Sequence, residues 1–288
     1  MRGFISANVS SYYLGTLFIV ATPIGNLEDI TFRAVRTLKE SHLIACEDTR
    51  QTRKLLDHFG IATPLVSYHD HNEAPRAAEL VEKMLAGSDV ALVSDAGTPL
   101  VSDPGYRIVT AAVEARIPVV PIPGPSAVLT ALSASGLPTD EFRFAGFLPA
   151  KSGQRKKLLQ DLRDETATVI FYEAPHRILE ALEDIETELG ARQVVVAREL
   201  TKLHEEFLRG TSSEIRAQLA ARPAVKGEIT LLIAKASEPI ATDQSIEDAV
   251  KELEQQGVSR MDAIKQVAKS RGMGKREVYK LLSEPRQQ

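Results

Sequence analysis

The densest chemistry in the chain lies in Ser94-Asp95-Ala96-Gly97-Thr98-Pro99-Leu100-Val101-Ser102-Asp103-Pro104-Gly105. Two glycines, two prolines and two aspartates are mixed there with hydroxyl side chains. Glycine lets backbone approach a ligand closely or take positive φ, proline stiffens a loop, and hydroxyls and carboxylates supply hydrogen-bonding groups. Part of this composition is also what a helix start needs, with Ser102 or Asp103 as N-cap and Pro104 as first helical residue. A cap uses only a few of these residues, so the stretch reads as a ligand-binding loop. Three further clusters carry charge. Glu47 and Asp48 precede Arg50, Arg53 and Lys54; His69, Asp70, His71, Asn72 and Glu73 run together; Arg198-Glu199-Leu200-Thr201-Lys202 is the third. Carboxylates of this kind act as general bases or orienters, and clustered cations hold phosphates. Each has a plainer alternative: Glu47 and Asp48 as a helix cap, Glu199 and Lys202 as a surface ion pair. Two histidines two apart with no third ligand are weak evidence for a metal, and none is expected.

These groups need elements to hold them. Val90–Val93 is a continuous apolar run that suits a strand covered on both faces, and the Tyr106–Ala115 segment after the loop is helical. A loop at the carboxyl end of a parallel strand is where open α/β sheets bind ligands. Strand-like and helix-like segments alternate around it: strands at Leu17–Ala21, Leu43–Cys46, Leu65–Tyr68 and Pro118–Ile122, helices at Thr31–Lys39, Thr49–Phe59 and Pro75–Leu85. That alternation predicts a parallel sheet. Pro121-Ile122-Pro123-Gly124-Pro125-Ser126-Ala127 interrupts both strand and helix and marks a domain boundary, with Ser126 capping a small-residue helix to Ser135.

The second half is more mixed. Strands are expected at Phe142–Phe147, Thr168–Tyr172, Gln193–Ala197, Phe207–Gly210 and Gly227–Ala234, with helices from Pro175 to Leu189 and Ser212 to Ala221 and a basic helix carrying Lys151, Arg155, Lys156 and Lys157. Beyond a linker at Glu238-Pro239, short helices at Ser245–Gln255, Arg260–Lys269 and Lys275–Leu282 enclose a turn like that of a helix-turn-helix. From Ser259 onward eight Lys or Arg face three acids, as befits either a solvated tail or a small nucleic-acid-binding appendage. The expected division is a disordered leader at 1–14, α/β domains at 15–123 and 124–236, and a basic helical extension at 243–284.

Composition sets the outer limits. Hydrophobic residues make up 43% and charged residues 26% of 288, as in a soluble globular protein large enough for two domains. The single cysteine, Cys46, excludes an internal disulfide framework and fits a cytoplasmic setting. No apolar segment reaches membrane-spanning length. A net charge of −4 leaves nucleic-acid binding to local patches. The absence of G-x-G-x-x-G and of a P-loop weakens dinucleotide and nucleoside-triphosphate readings.

Thr16 to Asn26 together with Ser94 to Gly105 resemble the tetrapyrrole methylase superfamily of S-adenosylmethionine-dependent methyltransferases. Glu47-Asp48-Thr49-Arg50-Gln51-Thr52, Ser67-Tyr68-His69-Asp70-His71-Asn72-Glu73 and Arg198–Lys202 narrow the resemblance to the branch that methylates a ribose 2′-hydroxyl of a decoding-centre cytidine in 16S rRNA. It runs from about Thr16 to Ala234. The resemblance implies two α/β domains with an active-site cleft between them, a small C-terminal helical extension, 16S rRNA in the small subunit as partner, and a homodimer. The turn Thr22-Pro23-Ile24-Gly25-Asn26 departs from the G-x-G-P-G-D-like loop of tetrapyrrole-binding members, which favours RNA over the alternative acceptor, a tetrapyrrole or corrin precursor.

Carried over residue by residue, the resemblance puts Ser94, Ala96, Gly97, Thr98, Pro99, Ser102, Ser126, Ala127, Tyr172, Ile229 and Thr230 around S-adenosylmethionine. For Ile229 and Thr230, ordinary strand packing is an equal alternative. The expected catalytic set is Glu47, Asp48, Arg50, Glu199 and Lys202, with His69 and Glu73 as further base candidates and Arg53, Lys54 and Arg198 as phosphate holders. No single one of these stands out as the base.

Overall fold

The computed structural model describes residues 14–236, 245–255, 257–270 and 273–283. Nearly all of the expected leader, and the linker at Glu238-Pro239, lie outside them. The chain divides into one compact unit ending at Ala234 and a second beginning at Lys235.

The first half of the larger unit alternates strands and helices: β1 (Leu17–Val20), α1 (Phe32–Glu40), β2 (Leu43–Cys46), α2 (Thr49–His58), β3 (Leu65–Ser67), α3 (Glu73–Leu85), β4 (Val90–Val93), α4 (Tyr106–Glu114) and β5 (Val119–Ile122). All strand pairs are parallel, in the order β3-β2-β4-β1-β5. The central strands are apolar at successive positions because both faces are covered. Ala34, Leu38 and Leu56 from α1 and α2 pack against Ile44, Ala91 and Val93 on one face. Leu80, Met84, Ile108 and Ala112 from α3 and α4 pack against Leu17, Ala45 and Leu92 on the other. The chain therefore leaves β1 and β2 toward one face and β4 toward the opposite face. Where neighbouring strands send their loops to opposite faces, a crevice opens at the carboxyl ends. β4, with β1 on one side and β2 on the other, sits at that switch.

After β5 the chain enters α5 (Ala127–Ser135), capped by the Ser126 hydroxyl, which accepts from Leu129 N at 3.5 Å. There follow β6 (Phe142–Phe147), α6 (Ser152–Asp161), β7 (Thr168–Glu173), α7 (Ile178–Leu189), β8 (Gln193–Arg198), β9 (Glu206–Thr211), α8 (Ser212–Ala220) and β10 (Ile229–Ile233). The second sheet is mixed, ordered β6-β7-β10-β8-β9, with only β6 and β7 parallel. Helices α6, α7 and α8 cover one face. The other face packs against Val128, Ala131 and Leu132 of α5 and against Ile24, which comes from the loop after β1. That shared apolar cluster joins the two sheets.

The second unit comprises α9 (Ile246–Gln255), α10 (Arg260–Ser270) and α11 (Lys275–Ser283), closed over a small core of Val250, Ala263, Ile264, Val267, Ala268 and Val278. Among the described residues no helix is long and apolar enough to cross a membrane.

Several local expectations give way to tertiary contacts. Helix α3 begins at Glu73, two residues before Pro75, and α7 begins at Ile178 rather than Pro175. Helix α4 is not capped by Ser102 or Asp103, and Pro104 is not its first residue. Its N-cap position is Gly105, with no side-chain cap. The Glu73 carboxylate serves instead, accepting from Gly105 N at 3.1 Å and Arg107 N at 3.4 Å, while the buried Tyr68 hydroxyl accepts from Ile108 N at 3.2 Å and donates to Glu73 at 2.9 Å. A distant carboxylate at a helix N-terminus provides both acceptor and favourable charge. Arg155, expected among the cations of a basic helix, is only 1% exposed. Its guanidinium meets Asp184 at 2.6 and 2.7 Å and donates to the Pro149 and Ala150 carbonyls at 3.4 Å each.

A buried carboxylate that loses its main, buried cation is costly, even with Lys156 still 3.4 Å from Asp184. Arg155→Ala is expected to lower unfolding free energy by about 3–5 kcal/mol in urea denaturation, and Arg155→Met with Asp184→Leu to recover most of it. A near-neutral single substitution would show that the pair contributes nothing.

Candidate functional site

The crevice between the sheets holds a cavity of about 350 Å³. Its floor is the loop joining β4 to α4. This loop is fastened to the loop after β1 by a two-residue antiparallel bridge, in which Thr22 N donates to Gly97 O and Gly97 N to Thr22 O, both at 2.9 Å. The Thr22 hydroxyl adds a bond to Ser94 O at 3.3 Å, and the Thr98 hydroxyl one to Pro125 O at 3.3 Å. Gly97 sits at φ +79°, a conformation that side chains rarely adopt. Leu100 and Ser102 in the same loop hold φ near +70° without being glycine. Such strain persists only where surroundings over-determine it, and it gathers at ligand clamps.

Ala96, Gly97, Thr98, Ser126, Ala127, Tyr172, Ile229 and Thr230 line the cavity. Ser94, Pro99 and Ser102 do not. Ser94 is buried behind the loop with its hydroxyl turned to Ala96 O, and Ser102 faces solvent. Residues that sequence reasoning passed over complete the wall: Ile24, Val101 and Leu200 as apolar surface, Asp103 and Glu228 as carboxylates, and Phe147 with Glu173, Ala174 and Pro175 on the second sheet's side. Asp103 was legible only as a helix cap, and the others come from segments whose proximity is purely tertiary.

Asp48 and Arg50 are committed to each other. Asp48 caps α2, accepting from Arg50 N at 2.8 Å, and its carboxylate receives two bonds from the Arg50 guanidinium at 2.7 and 3.1 Å. That hydrogen bonding lowers the Asp48 pKa to about 2, so it is a poor proton acceptor. Glu199 and Lys202 likewise form a pair at 2.9 Å, and neither lines the cavity. The Lys202 bond and a bond from Glu228 N lower the Glu199 pKa. Burial works against the Lys202 charge, yet bonds to Glu199 and Glu228 outweigh it and raise its pKa. These two residues lock a turn. Glu199 and Thr201 have φ of +53° and +63°, and the turn is wedged between Gly25 and Gly227. A Cβ on Gly25 would stand 2.5 Å from Lys202 Cγ, and one on Gly227 2.4 Å from Glu199 Cγ.

Glu47 behaves differently. It is not the cap of α2, and its pKa is raised, first by burial and then by Asp95, Asp103 and Asp70, with His69 opposing. The Asp103 pKa is also raised, chiefly by burial and further by Asp95 and Asp70, although the Ser94 hydroxyl pulls the other way. Carboxylates that follow β2, β3 and β4 thus lie within electrostatic reach of one another, and of these Asp103 lines the cavity. Glu73, bound to α4, is taken out of this group. Tyr172, whose pKa burial and the Asp103 charge push up to about 12, remains a neutral phenol on the facing wall. Among the described residues no group of three or more His, Cys, Asp or Glu is arranged to hold a metal ion.

Residues 16–216 match the model of the Tetrapyrrole (Corrin/Porphyrin) Methylases, and the chain belongs to that family of S-adenosylmethionine-dependent methyltransferases. Among its relatives, a protein named Ribosomal RNA small subunit methyltransferase I from Halalkalibacterium halodurans is 49% identical over 273 residues, covering 93% of this chain and 94% of that one. A protein of the same name from Synechocystis is 50% identical over 275 residues, covering 94% and 98%. The fold is also that of the uroporphyrin-III C-methyltransferase of Thermus thermophilus, solved with S-adenosylhomocysteine. There the TM-score is 0.52 at 18% identity, over 76% of this chain and 97% of that one.

Gly227 offers a direct check on the locked turn. Gly227→Ala adds a carbon where Glu199 already lies and strains a φ of +91°. It is expected to cost about 1–3 kcal/mol in urea unfolding. An unchanged midpoint would show that the turn accommodates a side chain freely.

Proposed function

We propose that the protein transfers the methyl group of S-adenosylmethionine to the ribose 2′-hydroxyl of a decoding-centre cytidine in 16S rRNA. The observation that carries this reading is a cavity of the donor's chemistry lined by Asp103, a carboxylate of raised pKa, with a second such carboxylate, Glu47, near enough to feel its charge. The names of the relatives at 49 and 50% identity supply the substrate class.

The cavity suits the donor. Ile24, Val101, Leu200 and Ile229 offer apolar wall to a purine and a thioether chain, and Asp103 and Glu228 offer negative charge to a sulfonium and an ammonium. The loop at Gly97 brings backbone close without a Cβ between it and the ligand. Ser126, Ala127, Tyr172 and Thr230 complete the contact surface in this reading. The donor contributes an electrophilic methyl carbon with a neutral thioether as leaving group. The protein's part is to hold the hydroxyl in line with that carbon and to accept its proton as the oxygen–carbon bond forms. Positioning of this kind contributes up to about 7–11 kcal/mol, and a general base about 10²–10⁴-fold. Glu47 is assigned as the proton acceptor. Its raised pKa makes it a stronger base than an ordinary carboxylate, whereas Asp48 and Glu199 are weakened by their cations.

Arg53, Lys54, Lys151 and Lys157 are the cations proposed to meet rRNA phosphates, with Lys275 and Lys280 of the second unit. Lys265 and Arg260 are partly engaged by Asp262 and Glu254, at 3.2 and 3.8 Å. A cytoplasmic homodimer acting on small-subunit rRNA belongs to the same reading, with Tyr106, Val113 and Leu129 as exposed apolar surface on α4 and α5. A tetrapyrrole acceptor is the alternative, and identities of 20% to a solved uroporphyrin-III C-methyltransferase and 15% to a solved cobalt precorrin-4 methyltransferase convey the fold alone.

Two experiments test the assignment. An rRNA substrate with 2′-deoxyribose at the target nucleotide is expected to bind within a few-fold of the natural one and to accept no methyl group. Methyl incorporation into it would end the ribose reading. Glu47→Gln is expected to reduce turnover by about 10²–10⁴-fold and to abolish the rise of activity as pH climbs through the raised Glu47 pKa. The linkage sign gives a second readout. A carboxylate with raised folded pKa destabilises the fold once ionised, so the Gln variant should match or exceed wild-type stability at neutral pH. Full activity with the same pH profile would remove Glu47 from the mechanism.

A further inference from the structure

We propose that Phe147 is the stacking platform for the nucleobase of the acceptor nucleotide, an inference that rests on the RNA-methylating reading of the same cleft. Phe147 ends β6 and lines the cavity, yet its side chain is 58% exposed. A lone exposed apolar residue is ordinary on a protein surface. This one is held in place from three directions.

The pairing of β6 with β7 shifts register between Phe144 and Phe147, and Gly146 within the irregularity takes φ +70° with open space where a Cβ would stand. Bulges of this kind occur at sheet edges beside active sites, where they re-aim a side chain, and β6 is the edge strand of its sheet. Behind the ring stands Tyr172, edge-on at 5.5 Å between centroids and 65° between planes, itself packed against Phe144 at 4.8 Å. Immediately after it, Leu148 is buried, and the Arg155 guanidinium grips the carbonyls of Pro149 and Ala150. The buried Arg155–Asp184 pair thus fixes the segment that carries the ring. The result is a rigid aromatic surface at the rim of the cavity, braced on one side and open on the other.

The reaction explains what the open face is for. To bring a ribose hydroxyl to the Glu47 and Asp103 side of the cavity, an RNA must present one nucleotide out of its stack. Enzymes that act on single nucleotides hold the extruded base between aromatic or apolar side chains. Base stacking on an aromatic ring is a principal source of affinity for unpaired nucleic acid. Exposed Lys151 and Lys157, four and ten residues beyond Phe147, supply positive charge to the flanking backbone. The donor's adenine is also a planar heterocycle, and the affinity for S-adenosylhomocysteine separates the two roles.

The test compares wild type, Phe147→Ala and Phe147→Tyr on two small-subunit rRNA substrates. One carries the natural cytidine at the target, the other an abasic ribose that keeps the 2′-hydroxyl. S-adenosylhomocysteine affinity is measured in parallel by calorimetry. Phe147→Ala is expected to lower kcat/KM on the cytidine substrate by about 10- to 100-fold, Phe147→Tyr to stay within a few-fold of wild type, and the S-adenosylhomocysteine Kd to remain within twofold. On the abasic substrate, already slow with wild type, Phe147→Ala should cause no further loss. Equal losses on both substrates, unchanged kinetics, or weakened S-adenosylhomocysteine binding that accounts for the loss would each overturn the proposal. If wild type methylates neither rRNA, the RNA-methylating reading fails first and takes this inference with it. Because the ring is largely exposed, the Ala variant is expected to melt within a few degrees of wild type.

Discussion

Everything at the candidate site depends on a two-residue clasp, the reciprocal backbone bonds between Thr22 and Gly97. These residues lie beyond the carboxyl ends of β1 and β4, neighbouring strands whose connections leave for opposite faces of the sheet. Without a tie, a crevice at such a point would be only a gap between diverging loops. The clasp makes one surface of them. It presents Ile24 to the second sheet's core and sets the strained run from Gly97 to Ser102 as a floor. The far wall is fixed by the turn after β8, pinned between Gly25 and Gly227 by the Glu199–Lys202 pair. Among the described residues, four of the five non-glycine residues with positive φ, Leu100, Ser102, Glu199 and Thr201, belong to these two loops. Conformational strain is concentrated where the cavity is shaped.

Electrostatics divides the charged residues into two kinds. Asp48, Glu73, Glu199 and Glu206 are bound to helix ends or cations and hold architecture. Arg222 and Arg198 alone bring the Glu206 pKa down to about 2. Glu47 and Asp103 have no such partner strong enough to offset burial and neighbouring negative charge, and their pKa values rise. An ion pair is thus a poor guide to chemistry in this fold, and a carboxylate left without a cation is a better one.

The alternation of apolar runs and amphipathic segments made the parallel sheet and its helices readable, because the central strands β2 and β4 are buried on both faces and each helix on one. The loop after β4 stood out by its composition, and it lines the cavity with Ala96, Gly97, Thr98, Val101 and Asp103. What escaped the sequence was tertiary. The partner that caps α4 is Glu73, thirty-two residues before Gly105, so local logic assigned the task to Ser102 or Asp103. Arg155 sits in a basic run, and only the approach of α7 gives it Asp184. Glu199 and Lys202, three apart and oppositely charged, fit a catalytic pair or a structural one equally well until Gly25 and Gly227 appear on either side. The cavity residues Phe147, Asp103 and Glu228 come from separate elements, so no spacing could have gathered them.

The most direct test of this account is a crystal structure of the full chain with S-adenosylhomocysteine. The account predicts density for the ligand on the β4–α4 loop, in contact with Gly97, Thr98, Ala127, Tyr172 and Ile229, with its sulfur on the side of the cavity nearest Asp103. Density in any other pocket, or across the Glu199–Lys202 turn, would contradict it.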